Sequence, residues 1–264
     1  MIRVLKIIIL VFSFQLSIFG CFAGTDGANS LSSKEKVEVK DCFETLNRGF
    51  FAFNNGLDKI LFKPVATGYR KLPSPVRTGT SNALNNISNL VTIPNNILQG
   101  DFSNAGTNTV RFVLNTTLGI LGIFDVAALV GLDKGEREDY GQTLGSWGMG
   151  PGCYIVLPVL GPSTSRDILG SAFTFLGGDP WYNITIERDT QYFKESDYYY
   201  SKITGGVDFR AKNLESFDSL EKNSIDFYAS IKSLYLQDRR NKILNSDGIT
   251  DTMNDGDWEE IDSN

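Results

Sequence analysis

Residues 112–132 (FVLNTTLGILGIFDVAALVGL) constrain the fold more than any other part of the chain, because they are almost apolar enough for a membrane-spanning helix. Polar residues at 115–117 and at Asp125 interrupt the stretch, and two glycines loosen it. A carboxylate at the centre of a lone spanning helix costs about 2.5–3.5 kcal/mol. Two structures remain: a buried core helix, or a bent, lipid-contacting segment whose polar residues face a protein interior.

The sequence contains no histidine, and this excludes several catalytic chemistries. A Ser–His–Asp triad, a Cys–His pair and a His-ligated zinc all require that residue. The three cysteines form no C-x-x-C pair, and the chain has no Gly-x-Ser-x-Gly elbow for a hydrolase nucleophile. We therefore expect no enzyme activity, no metal site and no cofactor.

The formal net charge of −6 is unevenly distributed along the chain. Residues 1–20 hold two basic residues and no acids, so removing them leaves −8. Residues 245–264 hold seven acids and no Lys or Arg, and removing these as well leaves −1 for residues 21–244. Nucleic-acid binding proteins present a strongly basic face, so this nearly neutral body argues against a nucleic-acid partner.

The N-terminus has the organisation of a secretory signal peptide. Two basic residues precede an apolar run at 7–14, which is shorter than the roughly 20 residues that a membrane span needs. Ile18-Phe19-Gly20-Cys21 resembles the site at which bacterial lipoproteins are cleaved and acylated on cysteine, although Phe19 is bulky for that position. We predict a signal peptide at 1–20 and lipidation of Cys21, with cleavage after Ala23 or Gly24 as the alternative.

The remaining chain divides into three parts by composition. Residues 21–40 are small, polar and charged, which predicts a flexible tether. Residues 245–264 are predicted to be an acidic disordered tail. Residues 41–244 form the folded body, in which apolar residues recur at helical spacing over 46–61, 104–115 and 223–243, and Pro64 is expected to end the first helix. We find no hairpin series typical of an all-β protein, so the fold is predicted to be mainly α.

Six blocks of the body resemble the MlaA (VacJ) lipoprotein family, in the family's order and spacing. They are Asp41-Cys42-Phe43-Glu44 to Lys63-Pro64-Val65, Ser81-Asn82 to Leu98-Gln99-Gly100, Arg111-Phe112 to Asp125-Val126-Ala127, Gln142-Thr143-Leu144-Gly145 to Trp147-Gly148, Leu157-Pro158 to Arg166-Asp167, and Asp226 to Arg240. Single pieces carry no weight, but the ordered set over about 41–244 is specific.

The resemblance implies a fold and a function. MlaA-like proteins form a ring of amphipathic helices in the periplasmic leaflet of the bacterial outer membrane, around a polar passage and without a true spanning helix. Phospholipid passes through the ring to a periplasmic carrier (MlaC-like), which maintains lipid asymmetry, and a trimeric outer-membrane porin holds the ring. The alternatives are a surface or virulence-associated structural lipoprotein without transport activity and, more remotely, a lipid hydrolase.

The resemblance also assigns roles to polar and glycine residues. Gly148, Gly150 and Gly152 fall where the family has a hairpin proposed to gate the passage; a plain tight turn is the alternative. Asn54 and Asn55 fall at the family's Phe-Asn motif and are expected at the passage, unless they cap a helix or make a polar core contact.

Four further charged residues are expected to line the passage: Arg111, Asp125, Arg166 and Asp167. Buried ion pairs that hold helices together are the competing interpretation for all four.

Two cysteines depart from the family pattern. Cys42 and Cys153 stand where the family usually has proline, and two thiols in an oxidising compartment favour a disulfide. A Cys42–Cys153 disulfide is therefore predicted, and independent drift to cysteine is the alternative.

Overall fold

The computed structural model describes residues 39–188 and 191–244. The predicted signal peptide (1–20), the tail (245–264), Cys21 and all but the last two residues of the tether lie outside the described residues. The described chain is mainly helical, which confirms the predicted fold class. Within this part of the chain, no helix combines the length and the apolar character needed to cross a membrane.

Within the described ranges, the fold consists of eleven α-helices, three π-helical turns and one pair of strands. The helices are α1 (Glu44–Leu57), α2 (Lys63–Arg70), α3 (Ser74–Leu98), α4 (Phe102–Thr117), α5 (Val126–Leu129), α6 (Tyr140–Ser146), α7 (Ser165–Phe173), α8 (Pro180–Tyr182), α9 (Glu195–Lys212), α10 (Leu214–Asn223) and α11 (Phe227–Ile243), with π-helical turns at Asp58–Phe62, Thr174–Gly178 and Asn183–Glu187. The strands β1 (Tyr154–Leu157) and β2 (Gly161–Thr164) pair antiparallel, with Tyr154 opposite Thr164.

The expectation that Pro64 ends the first helix is wrong. A π-helical turn at Asp58–Phe62 joins α1 to α2, and Pro64 lies in the first turn of α2. Proline is tolerated there because the first amides of a helix need no partner within it. The third predicted helix, 223–243, corresponds to α11, which begins later, at Phe227, because Asn223 is the last residue of α10.

Residues 112–132 do not form one helix. Helix α4 ends at Thr117, and a turn with positive φ at Ile120, Leu121 and Gly122 leads to the short helix α5. Gly122 packs so closely on Asn86 that an added Cβ would lie 2.4 Å from the Asn86 Cβ. The segment is therefore bent, as the second of the two sequence interpretations requires.

Helices α3 and α4 bury polar residues and expose apolar ones, which is the reverse of a helix in a water-soluble protein. In α3 the buried residues are small or polar, Asn95 and Asn96 among them, whereas Val76, Ile97 and Leu98 are exposed. In α4 the buried residues are Ala105, Asn108, Arg111 and Asn115, whereas Phe102, Val110 and Val113 are exposed. Soluble helices bury the apolar stripe instead, so these helices turn their polar faces toward the protein.

A small aromatic core lies between the hairpin and α11. Tyr154, Val156 and Tyr228 are buried, with Phe51 and Tyr235 packed against them. The ring centroid of Tyr154 lies 6.1 Å from that of Tyr228 and 6.2 Å from that of Tyr235, and both pairs meet edge to face. Such pairs add about 0.5–1.5 kcal/mol each beyond the area they bury, so this cluster fixes the hairpin on α11.

Candidate functional site

A polar pocket lies between α3, α4 and the connection from α5 to α6. We use the name polar pocket for the concave surface lined by Asn82, Asn85, Asn86, Ser88, Asn89, Asn108, Arg111, Asn115, Asp125, Lys134, Gly135, Glu136 and Arg137. Six of these side chains are amides of asparagine, which offer both donors and acceptors. The pocket can therefore hydrogen-bond a polar group of either sign.

Arg111 and Asp125 form the wall of the polar pocket as a buried ion pair. Arg111 Nη2 lies 3.0 and 2.8 Å from the two carboxylate oxygens of Asp125, and Asn115 Nδ2 donates to Asp125 Oδ1 over 2.9 Å. Burial acts to raise the pKa of Asp125, but the hydrogen bonds from Asn115 and Arg111 outweigh it and hold that pKa below its ordinary value. The carboxylate is therefore ionised and committed to its partners.

The same residues hold the bent segment in place. Asp125 caps α5 by accepting from the Ala128 amide (3.3 Å), and the Ala127 amide donates to Asn115 Oδ1 (2.9 Å). Arg111 also donates to the carbonyl of Leu132. Asn115, Thr116 and Asp125 thus face the protein interior, whereas Thr117 is exposed. The ion pair holds helices together while it also lines the polar pocket.

Residues 132–138 run along the inner faces of α3 and α4 as an extended segment. The Glu138 amide donates to Thr92 Oγ1 over 3.3 Å, and Gln142 Nε2 donates to the Arg137 carbonyl over 3.0 Å. Together with the bond from Arg111 to the Leu132 carbonyl, these contacts fix both ends of the segment. Two cations, Lys134 and Arg137, are thereby held at the polar pocket.

Lys134 and Arg137 have an unusual environment for exposed residues. Nearby protein atoms partly desolvate both side chains, which lowers the pKa of each. Both side chains nevertheless remain open to solvent. Side chains surrounded by protein but open to water line a concave, wet surface. Sequence reasoning missed both residues, because they lie in a segment without periodicity.

Glu138 is the one carboxylate of this segment that is buried. It accepts a hydrogen bond from Gln99 Nε2 over 2.8 Å. Desolvation raises the pKa of Glu138 to about 7, more strongly than the Gln99 bond lowers it. Glu138 therefore gains and loses its proton near neutral pH.

Arg166 and Asp167 do not reach the polar pocket. Arg239 Nη1 and Nη2 contact Asp139 at 2.6 and 2.9 Å, and Arg239 Nη2 lies 2.7 Å from Asp167 Oδ1. Asp167 Oδ2 accepts from Tyr235 over 2.5 Å, and Asp167 Oδ1 lies 3.2 Å from Arg166 Nη2. Removing a charge from water costs free energy. The ion pairs and hydrogen bonds of this network offset that cost, and they link α6, α7 and α11. The geometry favours the ion-pair interpretation for this pair.

Asn54 and Asn55 also lie away from the polar pocket. Asn54 Nδ2 donates to the Leu157 carbonyl over 2.8 Å, and Asn54 Oδ1 accepts from the Val159 amide over 2.7 Å. Asn55 Nδ2 donates to Glu221 Oε1 over 3.1 Å. Asn54 therefore fixes the hairpin turn to α1, as the polar-contact interpretation describes.

The glycine-rich loop, residues 148–152, is the connection from α6 to β1. The hairpin itself follows at 154–164. Gly148 and Gly152 have positive φ, and an added Cβ at Gly148 or Gly150 meets no atom within 4 Å. Arg166 contacts the loop twice, from its amide to the Pro151 carbonyl (3.2 Å) and from Nη1 to the Met149 carbonyl (3.4 Å). The space beside Gly148 and Gly150 is open, and Arg166 holds the loop on both sides of Gly150.

Cys42 and Cys153 are brought together in the structure. Their sulfur atoms are joined and their Cα atoms lie 5.6 Å apart, a separation that a disulfide accepts. The bond would tie the start of α1 to the end of the glycine-rich loop. The oxidation state of the pair in the cell stays a prediction.

Polar periodicity is the signal that would have found more of the site. Asn108, Arg111 and Asn115 recur at three and four residues along α4, as do Asn82, Asn86 and Asn89 along α3. Residues at these spacings share one helix face. A stripe of amides on a helix with an apolar opposite face predicts the inner wall directly.

Comparison with known proteins decides the family. The model of the MlaA lipoprotein family matches residues 39–242. The chain belongs to the MlaA lipoprotein family. The match spans the whole of the part described by the structure except its last two residues, so the polar pocket, the glycine-rich loop and the hairpin all belong to the family domain.

Individual relatives agree with this assignment. A Rickettsia bellii protein described only as uncharacterized is 37% identical over 204 residues, 76% of each chain. The Haemophilus influenzae and Escherichia coli K12 proteins named intermembrane phospholipid transport system lipoprotein MlaA are 29% identical over 239 residues (86% of this chain, 88% of the relative) and 33% identical over 213 residues (78% and 79%).

A solved structure has the same fold. It is described as the structural basis for maintenance of bacterial outer membrane lipid asymmetry, and it is 32% identical with a TM-score of 0.65, over 77% of this chain and 99% of that one. The family description and the name of the Haemophilus relative thus point to a lipoprotein of a transport system.

Proposed function

We propose that this chain is the outer-membrane lipoprotein of a phospholipid transport system, in which it passes phospholipid between the outer membrane and a periplasmic carrier and so maintains lipid asymmetry. Membership of the MlaA family and the names of the Haemophilus and Escherichia relatives support the general role. The observation that carries the mechanism is the reversed polarity of the helices, with amides and charges inside and apolar side chains outside.

The apolar exterior supports a position within lipid. Large apolar side chains are exposed on most of the described helices, and the bend after α4 alone exposes Leu118, Ile120, Leu121 and Phe124. Water-soluble monomers rarely expose large contiguous apolar patches. Burying such side chains in hydrocarbon stabilises the protein by about 25 cal/mol per Å², so the exterior suits the acyl region of one leaflet better than water.

The polar interior supports a route for the headgroup. Moving a charged group through hydrocarbon costs several kcal/mol or more. A surface of asparagine amides with Arg111, Asp125, Lys134 and Arg137 replaces the lost hydration by hydrogen bonds and charges. We propose that the polar pocket forms part of the passage and that the headgroup crosses along it.

The acyl chains must remain in an apolar medium throughout. Two chains carry on the order of 30 CH₂ groups, and each contributes about 0.8 kcal/mol when buried. An apolar rim beside a polar passage meets both requirements without a spanning helix. Lipidation of Cys21 would add a permanent anchor at the periplasmic leaflet of the outer membrane, and a trimeric porin and an MlaC-like carrier are the proposed partners.

The glycine-rich loop is proposed to gate this passage. Its open surroundings at Gly148 and Gly150 support movement, and its bonds to Arg166 at Met149 and Pro151 link it to α7. Arg166 and Asp167 would then support the gate and not line the passage.

Complementation tests the proposal. The chain is expressed in Escherichia coli lacking its own MlaA, and phospholipid in the outer leaflet is measured. We expect the chain to lower outer-leaflet phospholipid, and Asn89→Phe, which narrows the polar pocket, to abolish that effect. Asn223→Phe adds the same ring at an exposed position of α10 and should leave activity intact.

Two outcomes would contradict the proposal. Membrane-located chain that leaves outer-leaflet phospholipid unchanged would support a structural lipoprotein without transport activity. Equal activity of the Asn89 and Asn223 variants would show that the polar pocket is not the route.

A further inference from the structure

Lys134 and Arg137 form no ion pair among the described residues, and the charge of Asp208 acts on Arg137 without a direct contact. Within 39–188 and 191–244, neither forms an ion pair with a carboxylate, whereas Arg111 at the same surface is paired with Asp125. In the part of the chain that the structure describes, the Arg137 side chain donates to the side-chain oxygen of Asn85, a neutral acceptor. Charges that are partly desolvated and unpaired lower stability, and residues that bear this cost commonly serve a ligand.

We propose that Lys134 and Arg137 bind the phosphodiester group of a phospholipid. This inference rests on the proposed function and adds to it a defined anion subsite in the passage. The ligand chemistry is a phosphoryl oxygen anion, for which an arginine fork and a lysine ammonium are the usual pair of ligands.

The local field favours an anion. After burial, the positive charges of Arg137, Lys212 and Arg111 are the main causes that lower the pKa of Lys134, and Asp125 opposes them. The charge of Asp125 is already balanced by Arg111 at 2.8 Å. Glu136 also lines the polar pocket, so the three cations Arg111, Lys134 and Arg137 exceed the two acids Asp125 and Glu136 by one charge.

Neutral donors surround the two cations. Asn82 and Asn89 line the same surface with half-buried side chains. Asn82 Nδ2 donates one N–H to the Ile123 carbonyl over 3.2 Å, and its second N–H and the amide of Asn89 are suited to the remaining phosphoryl oxygens. A phosphodiester carries one negative charge, which matches the excess of one positive charge. The pocket would therefore become neutral when a headgroup is bound.

The backbone that carries the two cations is held in position before any ligand binds. The bond from Arg111 to the Leu132 carbonyl lies on one side of Lys134, and the bond from Gln142 to the Arg137 carbonyl lies on the other. A ligand site that is fixed in advance loses less entropy when it binds. The extended segment thus presents the two charges on a frame supported by α4 and α6.

The test compares two lipids with the same acyl chains. Full-length protein in detergent is mixed with equal amounts of dioleoylphosphatidylethanolamine and dioleoylglycerol, which lacks the phosphodiester, and the bound ratio is measured by native mass spectrometry. We expect wild-type protein to prefer the phospholipid, and Lys134→Gln/Arg137→Gln to lower that preference roughly tenfold or more. Lys71→Gln/Lys222→Gln removes the same charge from exposed positions and should retain it.

Two measurements on wild-type protein do not depend on the folding of a variant. The preference should fall as ionic strength rises, because the charges are open to solvent. Inorganic phosphate in excess should displace phospholipid but not dioleoylglycerol.

The outcomes separate this inference from the proposed function. Wild-type protein that binds neither lipid would contradict the proposed function itself. Wild-type protein that binds both lipids equally, or a preference that survives in the Lys134/Arg137 variant, would overturn only the anion subsite. Binding of inorganic phosphate without any lipid preference would identify free phosphate as the ligand and would also overturn it.

Discussion

Replacement of Arg111 by methionine tests whether the buried ion pair holds the inner wall together. The side chain of Arg111 is 5% exposed and that of Asp125 is 26% exposed. Arg111→Met keeps most of the volume but removes the two bonds to Asp125 and the bond to the Leu132 carbonyl. In this variant Asp125 would stay ionised and would still cap α5, but it would no longer have the positive charge of Arg111 beside it.

The magnitude follows from the burial of the pair. Breaking a buried ion pair from one side costs about 3–5 kcal/mol, and the partial exposure of Asp125 places this case near 3 kcal/mol. In a domain of this size each kcal/mol changes Tm by roughly 2–4 °C. We therefore expect Tm to fall by about 6–12 °C.

The assay is thermal unfolding of full-length protein in detergent, followed by circular dichroism. Arg70→Met is the matched control, because Arg70 is also paired with a carboxylate, Glu215, but both side chains are exposed, at 39% and 73%. Exposed pairs contribute little, so the control should unfold at the wild-type temperature. A loss for Arg111→Met no larger than that of the control would refute the reasoning.

Three further predictions concern a buried acid, the cysteine pair and the glycine-rich loop. Burial raises the pKa of Glu138 to about 7 from its ordinary value of 4.5, so the folded state binds this proton more tightly than the unfolded state. Stability should therefore fall by roughly 3 kcal/mol as pH rises from 4.5 through 7; Glu138→Gln should remove this decline in denaturant titrations at several pH values, and an unchanged decline would contradict the assignment. Intact mass after alkylation without reductant should show Cys42 and Cys153 unmodified, and two alkylated thiols in unreduced protein would exclude the disulfide. Reduction should lower the free energy of unfolding by up to about 4 kcal/mol, because the loop that the disulfide closes is long. Gly150→Ala should reduce transport without changing Tm, since its added Cβ is unobstructed, and full transport by this variant would favour a plain turn. Gly148→Ala should also lower the free energy of unfolding by about 1–2 kcal/mol, because φ at this position is +91°.

Local patterns predicted the secondary structure well where one helix follows its own periodicity. The mainly helical class is confirmed, and the predicted helix at 104–115 lies within α4. The prediction failed at Pro64 because a π-helical turn, which has no clear sequence pattern, carries the chain from α1 into α2. Helix boundaries of this kind depend on packing and not on propensity alone.

The site was harder to predict, because its contacts join distant residues. Arg239 and Asp167 are 72 positions apart, and Asn54 and Val159 are 105 apart, so no local pattern could assign Asp167 or Asn54 to structural contacts. Apolar periodicity identifies the apolar face of a helix but does not say whether that face meets the protein or a lipid. The buried amides of α3 and α4 supply this information only once the fold is known.

The most direct test of the reversed polarity is the environment of single side chains in a lipid bilayer. Nitroxide labels are placed singly at Leu129→Cys, Leu160→Cys and Asn89→Cys, in a Cys42→Ser/Cys153→Ser background, and relaxation by oxygen is compared with relaxation by a water-soluble nickel complex. Leu129 and Leu160 are 84% and 79% exposed, and we predict that oxygen dominates at both whereas nickel dominates at Asn89. Nickel access at positions 129 and 160 equal to that at position 89 would contradict a lipid-facing exterior around a wet interior.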